Sequence, residues 1–419
     1  MGKDIFVFAD WAELKGPTLM GILHADALKG KEVFSFEYDD RWLEDHTDSV
    51  FDADLQFYKG RQYVQTGKQL FGVFTDSCPD RWGRILMKRR EAIIAKEEER
   101  PQKALLESNY LLGIQDNARM GALRFKTEMD GPFLEYDADY PVPVWTGIRE
   151  LEQAAIFIDS EEGDYRKQKD WLRILVQPGS SLGGARPKAT VQDTQGNLWI
   201  AKFPSKKDDI NTGAWEMVVH DLAKSCGINV PEAKCERFSD TGSTYIAKRF
   251  DREGSRRIHF LSAMTVLGKT DGSDAESGIS YLDIASAIRQ YGSNPRNDLL
   301  ELWKRIVFSI AVTNTDDHLR NHGFLQDSKG LRLSPMYDVN PNPDGTALSL
   351  NINETSNELD FELAIQSAPY FDITKADAAE IVKEINSKIA LWPYLAKTNG
   401  ISSGEISMME TCFRCAACS

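Results

Sequence analysis

Apolar and polar residues alternate near the start of the chain, in Asp4-Ile5-Phe6-Val7-Phe8 and again in Lys31-Glu32-Val33-Phe34-Ser35-Phe36, with glycine-containing turns between them. A period of two marks strands with one covered face, so residues 1 to about 75 read as β-rich. From Pro79 the period changes. Trp82, Ile85, Leu86, Arg89 and Ile93 recur at steps of three and four, which predicts a helix with Pro in its first turn that stops at Pro101. Met120-Gly121-Ala122-Leu123-Arg124-Phe125 returns to strand, and Pro141-Val142-Pro143 reads as a connector.

Further on, the pattern predicts a helix around 150–158, strands over 189–193 and 198–203, a helix near 212–226 and a strand over 243–250. Beyond Leu261 helical periodicity dominates, over 281–291, 296–312 and a long C-terminal set in which Thr374 and Asp377 have capping-box spacing. Leu299, Leu302, Trp303, Ile306, Val307, Ile310 and Ala311 form the apolar stripe of the helix that feeds residues 314–321. Strands first and helices later predict an α+β protein, and 419 residues exceed one comfortable core, so two or three subdomains are expected.

Fifty Lys and Arg against 64 Asp and Glu give a formal charge of −14. That balance argues against a broad nucleic-acid face on this chain, because phosphate binding needs clustered cations. No apolar run is long enough to span a bilayer, and Met1-Gly2-Lys3-Asp4 leads straight into a strand-like segment, so no membrane association and a cytoplasmic location are expected. Six cysteines are scattered or clustered at the end, and reduced thiols are expected. Cys412-x-x-Cys415-x-x-Cys418 has a metal-like spacing with no fourth ligand nearby, and reads as a frayed tail.

The chemistry concentrates in Asn314-Thr315-Asp316-Asp317-His318-Leu319-Arg320-Asn321. An Asp and an Asn separated by four residues is the spacing of a kinase catalytic loop, where Asp316 meets the acceptor hydroxyl and Asn321 holds Mg²⁺. Asp338, in Leu333-Ser334-Pro335-Met336-Tyr337-Asp338, stands where a second metal-binding carboxylate is wanted. His318 is placed to order the loop or approach the nucleotide; His318 and His322 lack the Glu of a zinc-protease motif. Upstream, residues Gly179 to Lys188 have the composition of an anion cradle: glycines that let backbone N–H groups approach phosphate, with Arg186 and Lys188 adding charge. The segment is neither a Walker A loop, since Ala185 stands where Lys is needed, nor a dinucleotide fingerprint. Lys202, in the strand Leu198-Trp199-Ile200-Ala201-Lys202-Phe203, either reaches ATP phosphates or is an exposed strand cation. Glu216 either pairs with Lys202 or faces solvent. Lys248, Arg249 and Phe250 end the next strand, where the adenine would pass in a two-lobed ATP fold; Phe250 is equally a core candidate.

These motifs, in this order, resemble the HipA-like serine/threonine kinases, the toxin halves of bacterial toxin–antitoxin pairs. The resemblance is carried by Ser180-Ser181-Leu182-Gly183-Gly184-Ala185-Arg186-Pro187-Lys188, Lys248-Arg249-Phe250-Asp251-Arg252, Asn314-Thr315-Asp316-Asp317-His318 with Asn321, and more weakly by Ser334-Pro335-Met336-Tyr337-Asp338 and Pro79-Asp80-Arg81-Trp82-Gly83-Arg84. It implies a kinase-like bilobal fold with a β-rich N-terminal subdomain (1–125), an N-lobe-like part (126–255) and a mostly helical C-terminal lobe (256–419). It implies that Asp316 is the catalytic base, that Asn321 and Asp338 are Mg²⁺ ligands, that Lys202 contacts phosphate, and that Gly183, Gly184, Ala185, Arg186, Pro187 and Lys188 cradle ATP. Ser181, with Ser180 as neighbour and competitor, matches the family's autophosphorylation position, where a phosphate would repel those of ATP and expel the loop. Lys248 departs from members that carry Glu there. Family substrates include aminoacyl-tRNA synthetases, and family partners are small helix-turn-helix antitoxins, to which DNA contact would be delegated. The alternatives are a catalytically quiet module that sequesters a regulator, or a small-molecule or lipid kinase.

Overall fold

The computed structural model describes residues 2–46, 52–134, 147–160, 169–172, 175, 184 and 186–414. The chain is mixed α+β, as its periodicity predicts, and divides into two compact units. One comprises Met1–Lys206, Lys248–Leu261 and Gly268–Thr270; the other Lys207–Ala247, Ser262–Leu267 and Asp271–Ser419.

In the first unit the alternating segments become strands β1 (Lys3–Ala9), β2 (Thr18–Leu28) and β3 (Lys31–Tyr38). With β4 (Gln62–Tyr63) and β5 (Leu123–Lys126) they form an antiparallel sheet in the order β4-β3-β2-β1-β5. Its inner face buries Ile5, Val7, Phe34, Phe36 and Phe125. Phe74 packs against this face, its ring 5.5 Å from Phe36 and 6.1 Å from Phe125. At Gly21 the strands pass so closely that a Cβ would lie 2.3 Å from the Glu37 carbonyl oxygen, so only glycine fits. The expected alternation fails between residues 39 and 76. Short helices Asp40–Asp45 and Gly72–Asp76 flank β4 there, and the first begins because Asp39 accepts a hydrogen bond from the Arg41 N–H.

Helix α1 (Arg81–Glu97) is opened by Asp80, whose carboxylate accepts from the Gly83 N–H at 2.8 Å. Trp82, Leu86 and Ile93 from the predicted stripe are buried. After α2 (Ile148–Asp159) come β6 (Lys188–Gln192) and β7 (Leu198–Lys202), an antiparallel hairpin. Asp193 closes its turn by gathering the N–H groups of Gln195 and Asn197.

A buried charge cluster fixes residues 248–261 within this unit. Arg249 donates to both carboxylate oxygens of Asp251 and to the carbonyls of Ala118 and Arg119. Arg252 donates to Asp251 and to the Arg119 and Gly121 carbonyls. Asp251 also accepts from the Gly121 N–H, at a residue whose φ of +73 needs glycine. Burial alone would push Asp251 up, but the two guanidiniums outweigh it and hold the carboxyl down at about 2.

The second unit holds α3 (Thr212–Ser225), the hairpin β8 (Ala233–Glu236) and β9 (Thr244–Lys248, its last residue in the first unit), α4 (Tyr281–Tyr291), α5 (Pro295–Ala311), the hairpin β10 (Gly323–Asp327) and β11 (Gly330–Leu333), and α6 (Lys375–Ile389). All seven residues of the predicted α5 stripe are fully buried, and α5 packs against α4 and α6. Thr374 caps α6 by accepting from the Asp377 N–H, as its spacing predicts. No described helix is long and apolar enough to cross a membrane.

Asp251→Asn removes the charge that two buried guanidiniums share, so it should cost about 3 kcal/mol of stability, read from urea midpoints at pH 7. In the parent protein this contribution is complete above the unfolded carboxyl value of 3.8 and is lost as pH falls toward about 2. A loss below about 1 kcal/mol would show that the cluster is not a structural tether.

Candidate active site

Helix α5 delivers the chain into residues 313–322 through a strained corner. Thr313, a β-branched residue, has a φ of +51, in the left-handed region. It is held there by its hydroxyl, which donates to the Cys412 carbonyl at 2.8 Å, and by the Asn342 N–H, which donates to the Thr313 carbonyl at 3.0 Å. Asn314 is buried; its Oδ1 accepts from the Asn340 N–H at 3.3 Å.

The acidic doublet then splits. The Asp316 side chain is 85% exposed, with His318 Nε2 3.9 Å away. Asp317 turns inward and is 2% exposed. Its Oδ2 accepts from the Tyr281 hydroxyl at 2.7 Å and the Ser309 hydroxyl at 3.2 Å, and its Oδ1 lies 2.8 Å from His322 Nε2. Burial would raise this carboxyl, but the His322 charge and the donated hydrogen bonds hold it below the usual carboxylate range.

A 3-10 turn, Leu319–Asn321, brings Asn321 back over the loop, where its Nδ2 donates to the Asp316 carbonyl at 2.8 Å. Its Oδ1 is buried with no hydrogen-bond partner among the described residues. A buried carbonyl oxygen left unmatched is costly unless something outside the chain meets it. Asp338 has a φ of +57, a second left-handed corner. Its segment is tied to that of Asn321 by the Tyr337 hydroxyl, which donates to the Arg320 carbonyl at 2.7 Å. Asp338 also belongs to a local concentration of negative charge: burial first, then Glu216, Asp221 and Asp338, push the Tyr245 hydroxyl far above its ordinary value.

Among the described residues no three His, Cys, Asp or Glu side chains converge as a metal cage. A hard ion such as Mg²⁺ does not need one, since it takes one or two protein oxygens and completes its shell with water and phosphate. The orphaned Oδ1 of Asn321 and the carboxylate of Asp338 are oxygens of the type such an ion takes.

In the first unit, Ser180, Ser181, Gly183 and Ala185 lie outside the described residues, as do Cys415 and Cys418 of the tail. Gly184 has a φ of +81, and a Cβ on it would lie 3.3 Å from Lys188 Nζ. Arg186 is half-buried and Pro187 buried. Lys188 and Lys202 are directly paired across the β6–β7 ladder, and both are buried. Side chains at paired positions share a face of the sheet, so two like charges meet there and need anions. Asp80 supplies one: Lys188 Nζ lies 3.1 Å from its carboxylate, with the two side chains 3% and 2% exposed. The Asp80 carboxylate therefore both opens α1 and anchors the base of the glycine-rich segment. At the end of β9, the Lys248 amine sits 5.9 Å from the Trp199 ring centroid, Phe250 packs on Phe260, and the Arg249 guanidinium is engaged with Asp251 and backbone carbonyls. Arg249 and Asp251 thus make a structural tether.

Sequence reasoning did not assign roles to Asp80, Asp317, Tyr281 or Ser309. The Asp316-Asp317 doublet was the available signal, because two adjacent acids at a helix exit cannot both face solvent if the exit is buried.

Residues 180–392 match the HipA-like C-terminal domain family. A Sinorhizobium fredii protein named "Putative kinase Y4mE" is 30% identical over 149 residues, which are 33% of this chain and 33% of that protein. A Haemophilus influenzae protein named "Putative kinase" is 29% identical over 191 residues, 40% of this chain and 55% of that one. The matches thus span about a third to just over half of these relatives' lengths. In the solved complex of the Shewanella oneidensis MR-1 toxin antitoxin system, HipA, HipB and its operator DNA, one chain superposes with a TM-score of 0.65 at 16% identity, covering 94% of this chain and 93% of that one. That likeness shows the fold.

Because Asn retains the capping oxygen, Asp80→Asn isolates the ion pair with Lys188 from the helix cap. Asp80→Asn and Lys188→Met should each cost about 3 kcal/mol in urea unfolding, and the double variant clearly less than their sum. Simple additivity would mean that the two buried charges are not coupled.

Proposed function

The chain belongs to the HipA-like C-terminal domain family, and on that premise we propose that it is an ATP- and Mg²⁺-dependent protein serine/threonine kinase, with Ser181 in its own glycine-rich segment as one acceptor. The observation that carries this reading is the division of labour in the acidic doublet. Asp317 is spent on holding the loop, which leaves Asp316 presented to solvent beside a buried, unmatched Asn321 oxygen.

Asp316 orients the acceptor hydroxyl and takes its proton as the oxygen attacks the γ-phosphorus. The bond to the β–γ bridging oxygen breaks and ADP leaves with that oxygen. Asn321 and Asp338 would hold Mg²⁺, which when bound would offset the charge of the phosphates. Lys202, Lys188, Arg186 and the backbone of residues 183–188 bind the phosphates, and the two lysines face each other across the β6–β7 ladder. His318, close to Asp316, orders the loop, and the β9 exit at Lys248 and Phe250 borders the adenine. Its protein target has a Ser or Thr acceptor, with an aminoacyl-tRNA synthetase as the target class the family suggests. The solved complex contains HipB and operator DNA beside HipA, which supports a small helix-turn-helix antitoxin as partner and DNA contact through that partner rather than through this acidic chain. A cytoplasmic site of action fits such a partner.

Incubation with γ-labelled ATP and Mg²⁺ should label Ser181, and Asp316→Asn should lower labelling by at least about a hundredfold. Equal labelling of both proteins would remove Asp316 as base. ATP binding without transfer to any protein would favour a quiet binding module, and label found on a metabolite or lipid would redirect the substrate class. Asn321→Ala should raise the Mg²⁺ concentration needed for half-maximal nucleotide binding about tenfold, read by titration calorimetry. An unchanged requirement would show that its Oδ1 faces no metal.

A further inference from the structure

The residues assigned to chemistry, Asp316, Asn321 and Asp338, are short polar groups on irregular chain, and loops of this kind do not hold position by themselves. What holds them is a chain of buried side chains, of which Tyr281 and Ser309 stand outside the motifs. Tyr281, at the first position of α4, donates its hydroxyl to Asp317 Oδ2 at 2.7 Å. The Ser309 hydroxyl, on the last turn of α5, donates to the same oxygen at 3.2 Å and accepts from Asn314 Nδ2 at 3.3 Å. Asn314 in turn accepts from the Asn340 N–H at 3.3 Å. On the other side His322 Nε2 lies 2.8 Å from Asp317 Oδ1, and its ring meets the Tyr281 ring edge-on at 5.7 Å. Asp316 adjoins Asp317, Asn321 adjoins His322, and Asp338 stands two residues before Asn340, so each reactive position is within two residues of the network.

Tyr281 is itself fixed. The Ser280–Asp283 capping box opens its helix, and its N–H donates to the Asn351 carbonyl at 2.9 Å. Its ring is fully buried, and burial with the Asp317 charge beside it keeps the phenol protonated, hence always a donor.

We propose that Tyr281 is a positioning residue for phosphate transfer: its hydroxyl, through Asp317, sets the placement of Asp316, Asn321 and Asp338 without touching substrate. The catalytic half of this inference rests on the kinase reading above; the structural half does not. A residue that acts on placement alone changes the turnover of bound substrate more than its binding.

The test is Tyr281→Phe in the full chain, which keeps the ring and removes one oxygen, with Ser286→Ala on the exposed side of the same helix as control. Two readouts are taken: steady-state kinetics with ATP and acceptor, and amide hydrogen exchange without nucleotide. We expect kcat to fall roughly tenfold with KM for ATP within about twofold, and exchange of residues 314–322 and 338–342 to quicken roughly tenfold while α3 and α6 stay unchanged. Tyr281→Phe combined with Asp317→Ala should be no slower than Asp317→Ala alone, since the alanine has already removed the oxygen that the phenol meets. Unchanged exchange at 314–322 overturns the proposal, as does faster exchange spread evenly over the unit, which would make Tyr281 a general stabiliser. If the parent chain transfers no phosphate, the kinase reading fails, and the exchange data still decide whether Tyr281 fixes this segment.

Discussion

A carboxylate buried in protein stays charged only where polar partners meet its oxygens, and Asp317 meets that condition with two hydroxyl donors and the nearby His322 imidazole, from three places in the chain. Tyr281 comes from the start of α4, Ser309 from the end of α5, and His322 from beyond the loop itself. Because those partners sit on different elements, the carboxylate cannot shift without leaving one of them unmatched. Left-handed backbone at Thr313 and Asp338 stands on either side of the loop, and at Thr313 the Cys412 carbonyl and the Asn342 N–H hold it. The constraint on Asp317 explains why Asp316, one residue earlier, faces outward.

The first unit repeats the logic with cationic partners. Asp251 gathers Arg249, Arg252 and the Gly121 N–H, and so ties residues 248–252 to residues 118–121. Asp80 does the same for Lys188, at the foot of the glycine-rich segment. In both units a buried acid fixes a segment whose neighbours are assigned to nucleotide chemistry. Motif residues therefore divide into those whose buried polar atoms are met within the chain and those that keep one unmatched. Arg249 belongs to the first class by its contacts and Asn321 to the second by its unmatched oxygen.

Much of the fold was legible in the residues because it is written in local periods. The α5 stripe from Leu299 to Ala311 and the Thr374 cap are short-range signals, and each corresponds to an observed feature. The front sheet was legible as far as Tyr38. From 39 to 76 the sequence lacks a clear period, and local caps such as Asp39 decide the outcome. The Asp316–Asn321 spacing marked the candidate site because that motif is local as well. Tyr281 lies 36 residues from Asp317 and Asp80 lies 108 from Lys188, separations over which no pattern in one sequence links partners. Their roles emerge from tertiary packing, where a buried tyrosine and a core tyrosine of no consequence look alike until the hydroxyl's partner is known.

The most direct measurement is a crystal structure of the chain with Mg²⁺ and a non-hydrolysable ATP analogue. This account predicts that the metal is met by Asn321 Oδ1 and Asp338, and that the backbone of 314–322 moves by less than about 1 Å from its nucleotide-free position, because the buried carboxylate has already set it. A metal bound elsewhere, or a loop that rebuilds around the nucleotide with Asp317 released from Tyr281, would contradict it.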